Sequence, residues 1–470
     1  MVGSPVVPTS HHCAWRGLIE PVVRHAGWFG FFLVLAPIIG PGGYGVFAMA
    51  LSGIAIAEAL LVEPAAAALS GVELDDRHLS TALVSTVGIG AAVSLLIYAV
   101  AGQLGDMLDE APFGDIVQSL SLLPVLGGLS AIPTVLLRRR GKAGPLVAVT
   151  TAGLAAGGGV ALAMAWAGAG PWSLVAQIVV QRFVECAVVW GMAARRIGLA
   201  WSRPHFSALL KALGLSALCP AWPAISRQAP CLLIGLYLGP IATGLYLLAA
   251  RFAEAGTDIL LAWPKPARRA LLTDWANEIA QPIRRVALPA ILSSLLLPVA
   301  LIPIVDIPWW GAVLPAQILL LGVIPAAAIT ARAAAAGTKN EARWRAVEAL
   351  GGIAAAGMAA PYGLTAVAMA SLGYAICAAL AGLWPIRREF GAKWPQALAG
   401  ATRPLAAALA MGLILFPFVE PVALVLAPVP ALCLLGASGR LGYLLLSGAA
   451  SGFRLPAFAS WRRVGPAKPA

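Results

Sequence analysis

The residues of this 470-residue chain with the strongest chemical character are few and lie inside apolar sequence. Gln177, Gln181 and Glu185 recur every four residues, which puts them on one helical face with Arg182 at its edge. Arg227 and Gln228 lie among Pro220, Pro223 and Pro230, whose missing N–H groups kink a helix and free carbonyls toward water. Arg251, Glu254 and Asp258 again share a face, and Glu58 is a further acid in apolar surroundings. A charge in hydrocarbon costs at least about 2.5–3.5 kcal/mol unless it faces water or a partner. Two chemistries follow. Arg227, Arg182 and Arg251, with Gln181, Gln177 and Gln228, would line a wet cavity and hold a phosphate-bearing anion, because guanidinium stays charged and grips phosphate through paired hydrogen bonds. Glu185, Glu254, Asp258 and Glu58 are candidates for coupling to an ion. The same spacings also fit plain bridges from Arg182 to Glu185 and from Arg251 to Glu254. Arg227 has no acid on its own helix and is expected to be the foremost contact. Tyr44, Trp28 and Trp222 could stack on sugar rings or serve as interfacial anchors.

Helices in a bilayer must position these residues. The chain is 60% hydrophobic and 11% charged, whereas a soluble domain carries about 25% charge. Mean hydropathy is +0.86. Apolar windows long enough to cross about 30 Å of hydrocarbon fall at 22–39, 46–69, 81–102, 116–137, 146–167, 172–193, 212–237, 241–263, 286–305, 311–331, 345–360, 363–384, 401–419 and 421–447. The reading is an all-α integral membrane protein of about fourteen transmembrane helices.

The net charge of +12 would suggest a nucleic-acid surface in a soluble protein, but here it is spread over alternate loops, and no nucleic acid is expected. Arg24, Arg77, Arg138, Arg203, Arg284, Arg343 and Arg388 stand for the basic clusters on one side; Asp106, Asp115, Asp306 and Glu420 mark the other. Lys and Arg favour the cytoplasm, so both termini are expected there, in a bacterial inner membrane, with no removable signal at the N-terminus. The six cysteines are scattered without a CxxC. No metal site, cofactor, Walker loop or catalytic set is read, and Asp75 with Asp76 is an acidic pair at a turn. Glu63, like Glu58, lies toward the basic end.

A repeat organises the spans. Ile39 to Ala50 (IGPGGYGVFAMA) aligns without a gap on Leu238 to Ala249 (LGPIATGLYLLA) at a constant offset of 199 residues, pairing Gly40 with Gly239, Pro41 with Pro240 and Gly45 with Gly244. GPWSLVA (Gly170 to Ala176) and APYGLTA (Ala360 to Ala366) form a weaker pair. Six spans per unit is an even number, so both units share one orientation, related by an axis along the membrane normal. The expected organisation is an N-terminal six-helix lobe over 1–205, a second over 206–395, and two more helices with a basic tail over 396–470. The lobes are pseudo-symmetric, with substrate between them in a central cavity. A connector near 194–211, with Trp201 and Phe206 among basic residues, reads as an interfacial helix.

The runs PIIGPGGYGVFAMAL, SAIPTVLLRRRGK, GAGPWSLVAQ and LLIGLYLGPIATGLYLLAARF occur in the order and spacing of the polysaccharide transporter family. This is the flippase-like branch of the multidrug/oligosaccharidyl-lipid/polysaccharide exporter superfamily, and the chain resembles it over roughly residues 15–390. The resemblance implies two six-helix bundles in a V, two helices at the side, and transport of a lipid-linked oligosaccharide or polysaccharide by alternating access rather than catalysis. Expected partners are a lipid-linked anionic glycan, membrane lipids, and a polysaccharide polymerase or chain-length machinery. Members often carry an acid just before the apolar run of span seven; here Pro230 precedes Cys231. Other readings are an ion-coupled multidrug antiporter, a peptidoglycan-precursor flippase, and an integral-membrane polymerase or ligase.

Overall fold

The computed structural model describes residues 11–61, 64, 76–108, 112–139, 143–193, 198, 200–204, 206–207, 221–261, 268–302, 307–335, 338–390 and 394–446. Two helices set the plan. α1 (His11–Leu61) and α7 (Ala221–Leu260) are far longer than the roughly 20 residues that cross a bilayer. Each is two arms joined at one glycine, Gly40 (φ 72°) in α1 and Gly239 (φ 82°) in α7. Only glycine adopts that backbone without strain, and the proline that follows suits the first turn of the next arm. The chain doubles back there. Phe32 and Tyr44 would lie about 18 Å apart along a straight helix, yet their ring centroids are 5.2 Å apart.

Between these two helices run α2 (Asp76–Leu108), α3 (Phe113–Leu120), α4 (Leu123–Arg139), α5 (Ala143–Trp166) and α6 (Trp172–Ala193). A turn at Ser121 separates α3 from α4, and the Ser121 hydroxyl closes it by donating to the Gln118 carbonyl at 2.6 Å. After α7 come α8 (Arg268–Leu301), a short 3-10 helix (Ile307–Ala312), α9 (Val313–Leu321) and α10 (Val323–Ala335). α11 (Thr338–Ala359), α12 (Leu364–Phe390), α13 (Trp394–Val425) and α14 (Pro428–Leu446) complete the described chain. Among the described residues, ten helical stretches are long and apolar enough to cross a membrane, and both doubled helices are among them. This is a multi-pass, all-helical membrane protein.

α1 packs against α5 and α3, α2 against α4, and α4 and α5 against α6. In the second half α7 packs against α9 and α11, and α8 against α10. α13 and α14 attach to α8, where Met411, Leu415 and Leu435 close on Leu296. The last turn differs from expectation. α13 runs on through Pro417, Glu420 and Pro421 to Val425, so Glu420 is an exposed residue within a helix rather than part of a loop. The charge of Glu420 between two apolar windows marks a loop in sequence, whereas the helix continues past it, and a membrane helix tolerates its two prolines when neighbours re-satisfy the freed carbonyls. Glu63, Asp75 and most of the 194–211 connector lie outside the described residues; Trp201 and Phe206 within it are in ring contact at 5.9 Å.

The two halves meet mainly through α1 and α7, the most extensive helix pair in the molecule. Near the two kinks the contact is backbone on backbone. A Cβ on Gly45 would collide with the Pro240 carbonyl, and one on Gly244 would collide with the Pro41 carbonyl. These are the residues that the repeat aligns, so the crossing is reciprocal. Phe32, Tyr44 and Trp309 seal this end, each ring edge-on to the other two. We call it the Gly-Pro end. The opposite, basic end carries Arg24, Arg138 and the far ends of the arms.

Candidate functional site

A cavity of about 680 Å³ opens beside the α1–α7 crossing. That volume lies within the range of about 300–1,000 Å³ usual for ligand sites. Its walls come from α1, α4, α5 and α6, and α7 adds only Gln228, Leu247 and Arg251. The expected site between two equal lobes is therefore skewed: nearly all of the lining belongs to the first half of the chain. The reason is local. Gly153 and Gly157 in α5 let α6 approach so closely that an added Cβ would strike Glu185 and the Gln177 carbonyl, and α5 and α6 together form a wall facing α1.

The lining changes character along its depth. Toward the Gly-Pro end it is aromatic and apolar, with Phe32, Tyr44, Phe47 and Leu174. At mid-depth it offers uncharged hydrogen-bonding groups, among them Gln177, Gln181, Ser52 and Gln228, the last two joined at 3.1 Å across α1 and α7. Arg182 and Arg251 flank this zone, and Arg24 and Arg138 stand toward the basic end. Arg251 donates to Glu254 at 2.9 Å, and its guanidinium carbon lies 5.4 Å from the Trp28 ring centroid. A cation over an indole is stabilised by about 0.5–2 kcal/mol. Its Nε is buried with no hydrogen-bond partner. Arg24 donates to Asp258 at 2.6 Å, and His25, 8% exposed, reaches the same carboxylate oxygen at 3.1 Å. An ionised carboxylate only accepts, so His25 Nε2 carries the hydrogen.

The residues expected from sequence separate into three groups. Gln177, Gln181, Gln228, Arg182, Arg251 and Glu185 line the cavity. Glu254 and Asp258 bind arginines of its wall, and the Arg251–Glu254 bridge is the helix-spaced pair the sequence allowed. Glu185 accepts from Gln181 at 2.9 Å. Arg227 and Glu58 are outside the lining. Arg227 is exposed, within electrostatic reach of Asp258, and Glu58 packs against Gly127 between α1 and α4. Trp222 also lies apart, with Ala59 and Ile225. Sequence reasoning did not assign Arg24, His25 and Arg138 to the cavity. They sit at span ends, where a basic residue reads as a topology signal, and only their three-dimensional neighbours reveal the second role. Among the described residues no three His, Cys, Asp or Glu side chains group as metal ligands.

The class the structure defines is an all-helical membrane fold with a polar cavity enclosed among its helices. The lipid II flippase MurJ in an inward closed conformation superposes with a TM-score of 0.61 over 93% of this chain and 96% of that one, at 14% identity. Inward- and outward-facing forms of a multidrug resistance MATE family transporter of the MOP superfamily superpose at 0.53 and 0.52. They cover 82% and 81% of this chain and 96% and 95% of theirs, at 12% identity. Residues 34–264 match the model of a family described as polysaccharide biosynthesis protein. No curated protein matches the chain.

Proposed function

We propose that this protein moves a lipid-linked anionic glycan, as an oligosaccharide or polysaccharide unit, across a bacterial cytoplasmic membrane by alternating access. Both termini are cytoplasmic in this reading, and the protein acts as a carrier rather than a catalyst. One observation carries the reading: a 680 Å³ cavity among the apolar helices, lined by arginines and by amide and hydroxyl groups. Guanidinium groups suit phosphate, uncharged amides and hydroxyls suit sugar hydroxyls, and the lipid tail stays in the bilayer. The matched family and the flippase and exporter folds support the same reading. A cationic drug would meet like charge at Arg24, Arg138 and Arg182 instead. Glu185, already hydrogen-bonded within the cavity, is the carboxylate we assign to ion coupling.

The test is complementation of a strain lacking the gene. Arg24→Gln and Arg251→Gln should each lower surface polysaccharide about tenfold at equal protein abundance, because a hydrogen bond to a charged group contributes about 1.5–3 kcal/mol. Arg251→Lys should restore only part of the loss. Wild-type polysaccharide from Arg24→Gln/Arg251→Gln at normal abundance would overturn the proposal.

A further inference from the structure

Two cavity arginines are already occupied. Arg251 is held by Glu254 and Arg24 by Asp258, and both acids lie on one face of the second arm of α7, four residues apart. Arg24 and His25 belong to the first arm of α1, so Asp258 ties the two halves of the chain together at the basic end. Asp258 stays about one-third exposed, so an arriving anion can reach its partners. Arg24 and His25 both line the cavity, as Asp258 itself does not.

We infer that Asp258 is an internal competitor for the substrate's phosphate: it occupies Arg24 and His25 in the empty protein, and a bound anion displaces it. This inference rests on the reading of the cavity as an anionic head-group site. The displacement has two consequences in one event. Binding must outcompete a carboxylate held by two donors, which rejects weakly anionic ligands and makes Asp258 a specificity-determining residue. Losing Asp258 also removes the side-chain tie between α1 and α7 at the basic end, while the glycine crossing at the Gly-Pro end is made of backbone and stays closed. A ligand shifts such an equilibrium only by its differential affinity for the two states. Here the difference is supplied by donors that are free for the ligand only when the tie is open.

The experiment uses the full chain in lipid nanodiscs with inorganic pyrophosphate as probe, titrated by calorimetry. Asp258→Asn should bind pyrophosphate about three- to fivefold more tightly than wild type, the equivalent of removing one partly exposed ion pair. Arg24→Gln should weaken binding in both backgrounds. A second readout follows the neighbouring mid-depth contact between the same two helices, which must loosen when the tie at the basic end opens. Cysteines replacing Ser52 and Gln228, in a chain with its native cysteines removed, should cross-link fast without ligand and more slowly with pyrophosphate or with Asp258→Asn. A purely structural Asp258 would give Asn and Ala variants with reduced thermal stability and unchanged or weaker binding, and that result overturns the inference. Wild-type binding that depends on Arg24 and Arg251, with no gain in Asp258→Asn, removes only the competitor. Absence of pyrophosphate binding in wild type and in Asp258→Asn alike removes the anionic cavity and the competitor together.

Discussion

Arg138 and Arg227 separate what a residue's neighbours in sequence say from what its neighbours in space say. Arg227, set among prolines with no acid on its helix, stands out on a linear reading, yet it is exposed and outside the cavity. Arg138 begins a basic run and reads as a topology signal, yet it lines the cavity with Thr134 and Ser130 one turn and two turns before it. Thr134 donates to the Ser130 carbonyl at 2.7 Å, which fixes its rotamer on the face it shares with Arg138. Arg138→Gln should therefore reduce polysaccharide output more than Arg227→Gln does, by about threefold or more for one charged hydrogen bond. Quantified surface polysaccharide at matched abundance decides the order, and equal or reversed losses would refute it. The α6 face of Gln177, Gln181 and Glu185 was legible from a four-residue period. Asp258 was legible as an ion-coupling candidate on the Arg251 face; its two partners lie more than 230 positions away, a distance no local spacing records.

At the level of elements, the repeated Gly-Pro turns were the clearest signal in the chain, and the physics explains why. A glycine at positive φ followed by proline reverses a membrane helix in one step, and a glycine four residues later admits another backbone. Both demands are absolute enough to survive where side-chain identity drifts. Gly45→Ala and Gly244→Ala should each destabilise the protein by about 1–3 kcal/mol, the usual range for overpacking, because the obstructing atoms are backbone. Gly53→Ala on the same arm of α1 meets nothing within 4 Å and serves as the neutral control. Thermal unfolding in detergent measures all three. The losses in Gly45→Ala/Gly244→Ala should sum to less than their parts, since either change already spreads the shared crossing. α13 was misjudged at its end because Glu420, a charge between two apolar windows, reads as a loop residue, and nothing local reveals that the helix continues through it to Val425.

For the whole molecule, the side on which Arg and Lys fall supports the proposed orientation, and fold class was legible because it follows from a bulk quantity, apolar length. The skew of the cavity toward the first half was not, since it depends on how closely α5 and α6 pack at Gly153 and Gly157. Orientation yields a direct check. Asp106 and Arg138 are both exposed, near opposite ends of adjacent spans. In a chain freed of native cysteines, Asp106→Cys should react with an impermeant maleimide on intact cells, and Arg138→Cys only after permeabilisation; the opposite pattern would invert the proposed topology. The reciprocal meeting of Gly45 with Pro240 and Gly244 with Pro41 has a further meaning. A contact in which each side presents the same patch is self-complementary, as at the axis of a twofold dimer. What fastens the halves of this chain is thus one surface used twice, so a change that spoils it on one side spoils its mirror image on the other.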